Sequence, residues 1–336
     1  MPYTLFQGGR RRRKRRGPAI AAILAMVAGF LGVVLLLGKD QSPAPHATAT
    51  ATPGTRLPLA DSGTAPLAGG GTAPSPLAVR LDDPRDVVRI RFKKPPRSGL
   101  LFDLDTGRVL WRRDPTRVLP IASLTKMMTA IVVADRVSRG HKVLVTKEAL
   151  RYKGSAVGLL PKGKWIGVET MLHGLLLPSG NDAAIALAQR AARTVPRFVK
   201  LMNARAHDMG LACTRYSSPD GFQDRGNHSC AADLAAISRQ LLRTPRLARI
   251  VRRRSASLPF PIKGGKIYLY NNNPLLRSGY PGTTGVKTGY TDAAGRCLVA
   301  SARRGHVRLG VVLLASPDPG KQARQLLDRG FRILKQ

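Results

Sequence analysis

Pro120-Ile-Ala-Ser-Leu-Thr-Lys-Met-Met-Thr-Ala130 is the stretch on which the reading of this 336-residue chain turns. From Ser123 onward Leu124, Met127, Met128, Ile131 and Val132 recur at helical spacing, and Pro120 just upstream suits a helix start. On such a helix Ser123 and Lys126 stand three apart on one face, so the amine lies within reach of the hydroxyl. A serine needs a base to become a nucleophile, and a lysine desolvated near other cations has its pKa depressed enough to serve. A helix start also turns free N–H groups and a positive dipole end toward a developing oxyanion. Taken alone, Ser-x-x-Lys is equally a capping serine beside a solvated lysine, so the weight falls on what accompanies it.

Two further motifs follow. Ser179-Gly180-Asn181 is expected on a loop between helices over Met171–Leu177 and Ala183–Ala192, where Pro178 and Gly180 interrupt the period. Lys287-Thr288-Gly289 follows an expected strand over Gly285–Lys287. Each motif is common by itself. In this order they form the three-part set of penicillin-binding proteins and class A β-lactamases, with Gly at the middle of the second motif. Together with Leu175-Leu-Leu-Pro-Ser-Gly-Asn-Asp-Ala-Ala184 and Gly285-Val-Lys-Thr-Gly-Tyr-Thr-Asp-Ala-Ala-Gly-Arg-Cys-Leu-Val-Ala300, the opening stretch resembles the low-molecular-mass penicillin-binding proteins of the D-alanyl-D-alanine carboxypeptidase type. The resemblance runs from about Arg97 to Leu334.

That resemblance implies an α/β, β-lactamase/transpeptidase-like fold: a five-stranded antiparallel sheet covered by helices, with an all-helical subdomain carrying the Ser-Gly-Asn loop. It implies a serine hydrolase that removes the terminal D-Ala from peptidoglycan pentapeptide stems and is acylated by β-lactams. Ser123 attacks the penultimate carbonyl, Lys126 takes its proton, and Ser179 relays a proton to the leaving D-Ala. Asn181 holds the peptide amide, and Lys287, Thr288 and Gly289 meet the terminal carboxylate. The N–H groups of Ser123 and Tyr290 form the oxyanion hole. No cofactor is implied. The chain departs from the family pattern at Ser218-Pro-Asp-Gly221, at His228-Ser-Cys-Ala-Ala232 and at Asn272, where some relatives carry a carboxylate-binding Arg. The first two departures are expected to touch loop and helix structure rather than chemistry, and Arg277 is a candidate replacement for the missing Arg.

Competing readings are a class A β-lactamase, a D,D-endopeptidase and a non-catalytic wall-binding module. The first resembles a family that activates its deacylating water with a Glu between the second and third motifs. The only glutamates here are Glu148 and Glu169, both before Ser179, so rapid β-lactam turnover is not expected. The endopeptidase shares every catalytic residue, whereas a non-catalytic module would be expected to lack one. The six His residues, among them His141, His173, His207 and His228, show no ligand spacing, and no metal is expected.

Outside the motifs, charge dominates: 56 Lys+Arg against 19 Asp+Glu. Seven of the bases form the run Arg10–Arg16, just before a stretch from Pro18 to Leu37 without a charge. Twenty apolar residues at ~1.5 Å each span the ~30 Å hydrocarbon layer, and a preceding basic block holds the N-terminus inside. The expected organisation is a cytoplasmic basic segment over 1–17, a transmembrane signal-anchor over 18–38, a Pro/Ala/Thr/Gly-rich tether over 39–86 and a catalytic domain over 87–336 outside the cytoplasmic membrane. Ala47-Thr48-Ala49 leaves open a secreted form released by signal cleavage. From Arg89 onward the chain still carries 45 Lys+Arg against 14 Asp+Glu. On an outer membrane face this points to phospholipid headgroups and anionic wall polymers and not to nucleic acid.

Among secondary elements, Leu100–Trp111 reads as a hairpin about Asp105-Thr106-Gly107. Helices are expected over Phe198–Met209, Cys230–Leu242 and Gly320–Leu334, with strands over Ile267–Tyr270, Cys297–Arg303 and Val307–Ala315. Cys213 and Cys230 either bridge in an oxidising compartment or stay free, and Cys297, in an apolar run, reads as a buried free thiol.

Overall fold

The computed structural model describes residues 76–83, 86–222 and 226–334. The basic run, the apolar stretch at 18–37 and most of the tether lie outside the described residues. Among those residues no helix is long and apolar enough to cross a membrane.

In chain order the strands are β1 (Ser98–Asp103), β2 (Val109–Arg113), β3 (Leu119–Pro120), β4 (Lys142–Leu144), β5 (Trp165–Gly167), β6 (His228–Ser229), β7 (Ser255–Pro259), β8 (Lys266–Tyr270), β9 (Thr283–Thr291), β10 (Gly295–Arg304) and β11 (Val307–Leu314). The helices are α1 (Lys126–Arg136), α2 (Val168–Leu176), α3 (Asn181–Ala192), α4 (Val195–Asp208), α5 (Ala231–Arg243), α6 (Pro245–Val251), α7 (Pro274–Arg277) and α8 (Pro319–Ile333). The main sheet has five strands in the order β2-β1-β11-β10-β9, each paired antiparallel to its neighbour. Both ends of the domain therefore build one sheet.

Alternation along β1 divides the core in two. Leu100 and Phe102 join the cluster shared with the helical half, while Leu101 faces the opposite cluster of Trp111, Leu309, Leu326 and Phe331 under α8. On the first face sits α1, whose residues from Lys126 to Val133 are all buried. A helix apolar on every side belongs at the centre of a core. Lys126 is therefore buried by its place in the fold.

Several expectations need correction. Ser123 lies in a 3₁₀ turn over Ala122–Thr125, and α1 proper starts at Lys126. Asn181 is the first residue of α3 and not part of the loop before it. Lys287-Thr288-Gly289 sits inside β9, not after a strand, because β9 runs on to Thr291. The strand over Ile267–Tyr270 exists, but it pairs with β7 in a separate two-stranded sheet.

Residues 76–83, which the sequence places in the tether, are docked on the domain. Leu77 is buried, and Arg239 reaches from α5 to donate to the carbonyls of Leu77 at 2.7 Å and Ala78 at 2.8 Å. A buried guanidinium needs several acceptors, and this one also finds Leu104 and Asp105 carbonyls at 2.9 Å each.

Candidate active site

Lys126 and Ser123 are brought together by one turn of chain: Nζ lies 2.8 Å from Ser123 Oγ. The ammonium also donates to Asn181 Oδ1 and to the carbonyl of Asp220, each at 2.7 Å. All three N–H bonds of a charged lysine are thus matched, which is what a fully buried cation requires. Burial still dominates its titration: desolvation pulls the Lys126 pKa from 10.5 to about 8, against the opposing carboxylates of Asp220 and Asp182. An amine at that value is a usable proton acceptor near neutral pH.

The turn bearing Ser123 is held by main chain on two sides. Gly289 passes so close that a Cβ there would lie 2.9 Å from the Ile121 carbonyl oxygen and 3.2 Å from the Ser123 nitrogen. From the other side Gly221, at φ +74°, would put a Cβ 2.1 Å from the Ala122 carbonyl oxygen. Only glycine fits at either place. Ala122 itself has φ 47°, a strained value for a residue with a side chain. The Ser123 N–H is in the first turn of its helix, where amides have no intrahelical acceptor.

A second lysine–serine pair faces the first. Lys287, on the face of β9 that also carries Gly289, donates to Ser179 Oγ at 2.9 Å and to the Thr288 carbonyl at 2.7 Å. Burial, with Lys126 as a nearby cation, holds its pKa well below the ordinary lysine value. Ser179 has φ 75°. Its loop is braced by Asn272, whose N–H donates to the Leu177 carbonyl at 3.1 Å and whose side chain donates to the Pro178 carbonyl at 3.0 Å.

At the start of α3, Asn181 Nδ2 donates to the Lys153 carbonyl, and the Asp182 carboxylate accepts from Val157 at 2.9 Å and Gly158 at 3.3 Å. These bonds fix the segment that presents Ser155. A cleft of about 320 Å³ opens over the assembly, lined by Ser123, Ser155, Ser179, Asn272, Thr288 and Tyr290, and also by Arg296 and Cys297. Every predicted site residue therefore lies in this cleft or hydrogen-bonds directly beneath it, Gly289 against the turn that carries Ser123.

Two residues escaped the sequence reading. Asp220 belongs to a segment expected to matter only for loop structure. Its carbonyl accepts from Lys126 Nζ, and the neighbouring Pro219 carbonyl takes the Thr129 hydroxyl of α1 at 2.6 Å. Arg296, opposite Tyr290 across β9 and β10, lines the cleft where Arg277 does not. An exposed guanidinium at that place is suited to a carboxylate.

Cys213 and Cys230 form a disulfide with Cα atoms 5.5 Å apart. It closes the segment that contains Ser218–Gly221. Cys297 takes no part in a disulfide and is buried, as its apolar run suggests. Among the described residues the one place where three metal-ligating side chains converge is Cys213, Cys230 and Asp233, and both sulfurs there are already bonded to each other. Neither glutamate lines the cleft: Glu148 accepts from Gln189, and Glu169 pairs with Arg246 at 2.6 Å.

A family model described as D-alanyl-D-alanine carboxypeptidase matches residues 94–317. The chain belongs to the D-alanyl-D-alanine carboxypeptidase family. Among relatives in that family, DacF of Bacillus subtilis is 34% identical over 243 residues, covering 70% of this chain and 62% of DacF. DacB2 of Mycobacterium tuberculosis is 35% identical over 247 residues, covering 71% of this chain and 83% of DacB2. This chain thus spans a little under two thirds of DacF. Among solved structures, a variant of a Streptomyces DD-transpeptidase superposes with a TM-score of 0.67 at 31% identity, covering 72% of this chain and 100% of that one. A D-alanyl-D-alanine carboxypeptidase from Mycobacterium tuberculosis gives 0.68 at 34% identity, covering 73% and 94%. The family's β-lactamase/transpeptidase-like fold is the one described above.

Proposed function

We propose that this chain is a serine-type D-alanyl-D-alanine carboxypeptidase that trims peptidoglycan pentapeptide stems through an acyl-enzyme on Ser123. The observation that carries the reading is the contact between Lys126 Nζ and Ser123 Oγ at 2.8 Å, within a desolvated network facing the Lys287–Ser179 pair. Neutral Lys126 accepts the Ser123 proton as Oγ bonds to the carbonyl carbon of the penultimate D-Ala. The oxyanion gathers on the N–H groups of Ser123 and Tyr290. Ser179, hydrogen-bonded to Lys287, passes a proton to the departing amine of the terminal D-Ala. Water then attacks the ester, and Ser123 recovers its proton.

Lys287, Thr288 and Arg296 supply positive charge and a hydroxyl for the terminal carboxylate, and Asn181 holds the stem's amide. A β-lactam acylates the same oxygen, and its release is slow for want of a glutamate over the ester. The test is to label the full-length chain with a fluorescent penicillin and map the adduct, which is expected on Ser123. Absence of labelling in a folded protein overturns the reading. Release of free D-Ala from a pentapeptide, compared with cleavage of a cross-linked dimer of stems, then separates carboxypeptidase from endopeptidase.

The setting supported by the sequence is a single-pass anchor over 18–38 with the catalytic domain outside the cytoplasmic membrane, among phospholipid headgroups and anionic wall polymers. A reporter active only outside the membrane, fused after residue 336, is expected to be active. Reporter activity confined to the cytoplasm refutes it.

A further inference from the structure

Part of the excess positive charge gathers in a recess away from the cleft. At the C-terminal end of α8 a hollow of about 270 Å³ is lined by Arg89, Arg329 and Arg332 with Val87 and Ile333. The cleft is bordered by Pro319 at the other end of the same helix, so ~20 Å of helix separates the two.

The cations are held outward by packing. From Val88 the chain alternates in burial, with Val88, Ile90 and Phe92 turned to the core and Arg89, Arg91 and Lys93 exposed. Phe92 meets the Trp111 ring edge-on at 5.9 Å, which anchors the segment beside α8. Along α8, Lys321, Arg324, Arg329 and Arg332 are exposed while Leu326, Leu327 and Phe331 are buried.

Carboxylates that could neutralise the hollow are engaged elsewhere. Asp86 is held by Arg112 through contacts of 2.7 and 2.9 Å, Asp328 takes Arg304 at 2.9 Å and the Tyr280 hydroxyl at 2.7 Å, and Asp318 caps the start of α8. Among the described residues, Arg89, Arg329 and Arg332 form no ion pair. Three guanidinium groups around one recess repel one another, and the helix C-terminus offers only about half a negative charge against them.

We infer that this hollow docks a linear phosphodiester polyanion, the chemistry of an anionic cell-wall polymer. Guanidinium forks bind phosphate oxygens in pairs, and the recess admits one phosphate from a thread-like chain. From the hollow the exposed cations of α8 and those of Arg91 and Lys93 run together toward the start of α8, where the Gln322 side chain donates to the Lys94 carbonyl at 2.7 Å, so the thread has one cationic track to follow. A bilayer presents its headgroups in a plane, whereas a single polymer chain can follow a line of cations. The wall setting rests on the extracytoplasmic reading above, whereas the phosphate chemistry does not. Docking there would hold the cleft a fixed distance from the polymer.

The test uses the full-length chain in neutral detergent, titrated with fluorescent polyglycerol phosphate and, separately, with vesicles of phosphatidylglycerol and phosphatidylcholine in equal parts. Arg329→Glu with Arg332→Glu is compared with Arg139→Glu and Lys142→Glu, an exposed pair that changes net charge equally. The α8 pair is expected to lose at least tenfold in polymer affinity, from about fivefold per reversed contact, and the control pair less than twofold. Unchanged penicillin acylation in both variants shows the fold intact and separates this outcome from any failure of the catalytic reading. Equal losses in the two pairs overturn the site, leaving only diffuse charge. Vesicle binding that the α8 pair abolishes, without polymer binding by the parent chain, assigns the hollow to lipid and also overturns it.

Discussion

Replacing Asp220 with asparagine is expected to shift the pH at which Ser123 is acylated by penicillin without changing the limiting rate. The Asp220 carboxylate is the larger of two charges that favour protonated Lys126, and burial opposes them. With the Lys126 pKa at about 8, roughly one base in ten is neutral at pH 7. An ordinary lysine would be neutral about 300-fold less often, so the net shift left by burial and the two carboxylates is worth about 3 kcal/mol in the supply of neutral amine at that pH. A group whose charged form is disfavoured loses its proton at lower pH, so acylation should climb with pH and level off above about 9. Removing the carboxylate removes a negative charge that raises the pKa, so the inflection must move down.

Because neutral base cannot exceed unity, the gain at pH 7 is capped at about tenfold and vanishes at pH 9. Asparagine keeps the Oδ1 that accepts from Ser218 Oγ and the Phe222 N–H, both at 3.0 Å, so the loop should survive. The assay is the second-order rate of fluorescent penicillin labelling from pH 6 to 10. An inflection that moves up, or a rate lowered by one factor at every pH, would show that Asp220 acts through loop shape alone.

Other outcomes follow from the same geometry. Gly289→Ala forces a methyl against the Ile121 carbonyl and the Ser123 nitrogen, and acylation should fall at least a hundredfold with only a small change in Tm. Cys213→Ser with Cys230→Ser opens a staple with a sequence separation of 17 residues. Unfolding in urea should show a loss of about 3 kcal/mol, with slower labelling in the same samples, and unchanged labelling would detach the loop from the base. Arg296→Leu should raise KM for a carboxylate-terminated peptide about tenfold while kcat stays within twofold, and a fall in kcat alone would assign Arg296 to the chemical step.

What could be read in advance was whatever a short stretch of chain decides. Ser123 and Lys126 meet through one helical turn, so spacing alone places the amine beside the hydroxyl. The Lys287–Ser179 contact spans 108 residues and was accessible only through the family pattern. Asp220 was missed for a different reason. What reaches Lys126 is its carbonyl, which every residue possesses, and which one arrives is decided by tertiary packing across 94 residues. Arg296 sits beside Tyr290 only once β9 and β10 are in register.

β9 extends past the expected strand over Gly285–Lys287 at both ends, with Gly285 and Gly289 inside it and not at its limits. Gly289 is required by the Ser123 turn pressed against it. The short α6 lacked enough periods to register. Cys213 and Cys230 offered two states, and choosing between them required the distance between their backbones.

The acceptors of Lys126 have a practical consequence. One lies in its own turn, one lies 55 residues on and one lies 94 residues on. Under the proposed mechanism, a chain in which any of these three segments is out of place has a protonated, undirected amine and an inert serine. Covalent capture of a penicillin therefore counts molecules whose tertiary structure is complete. In a partly denatured or freshly refolded sample, the labelled fraction is a titre of native protein, obtained without any spectroscopic baseline.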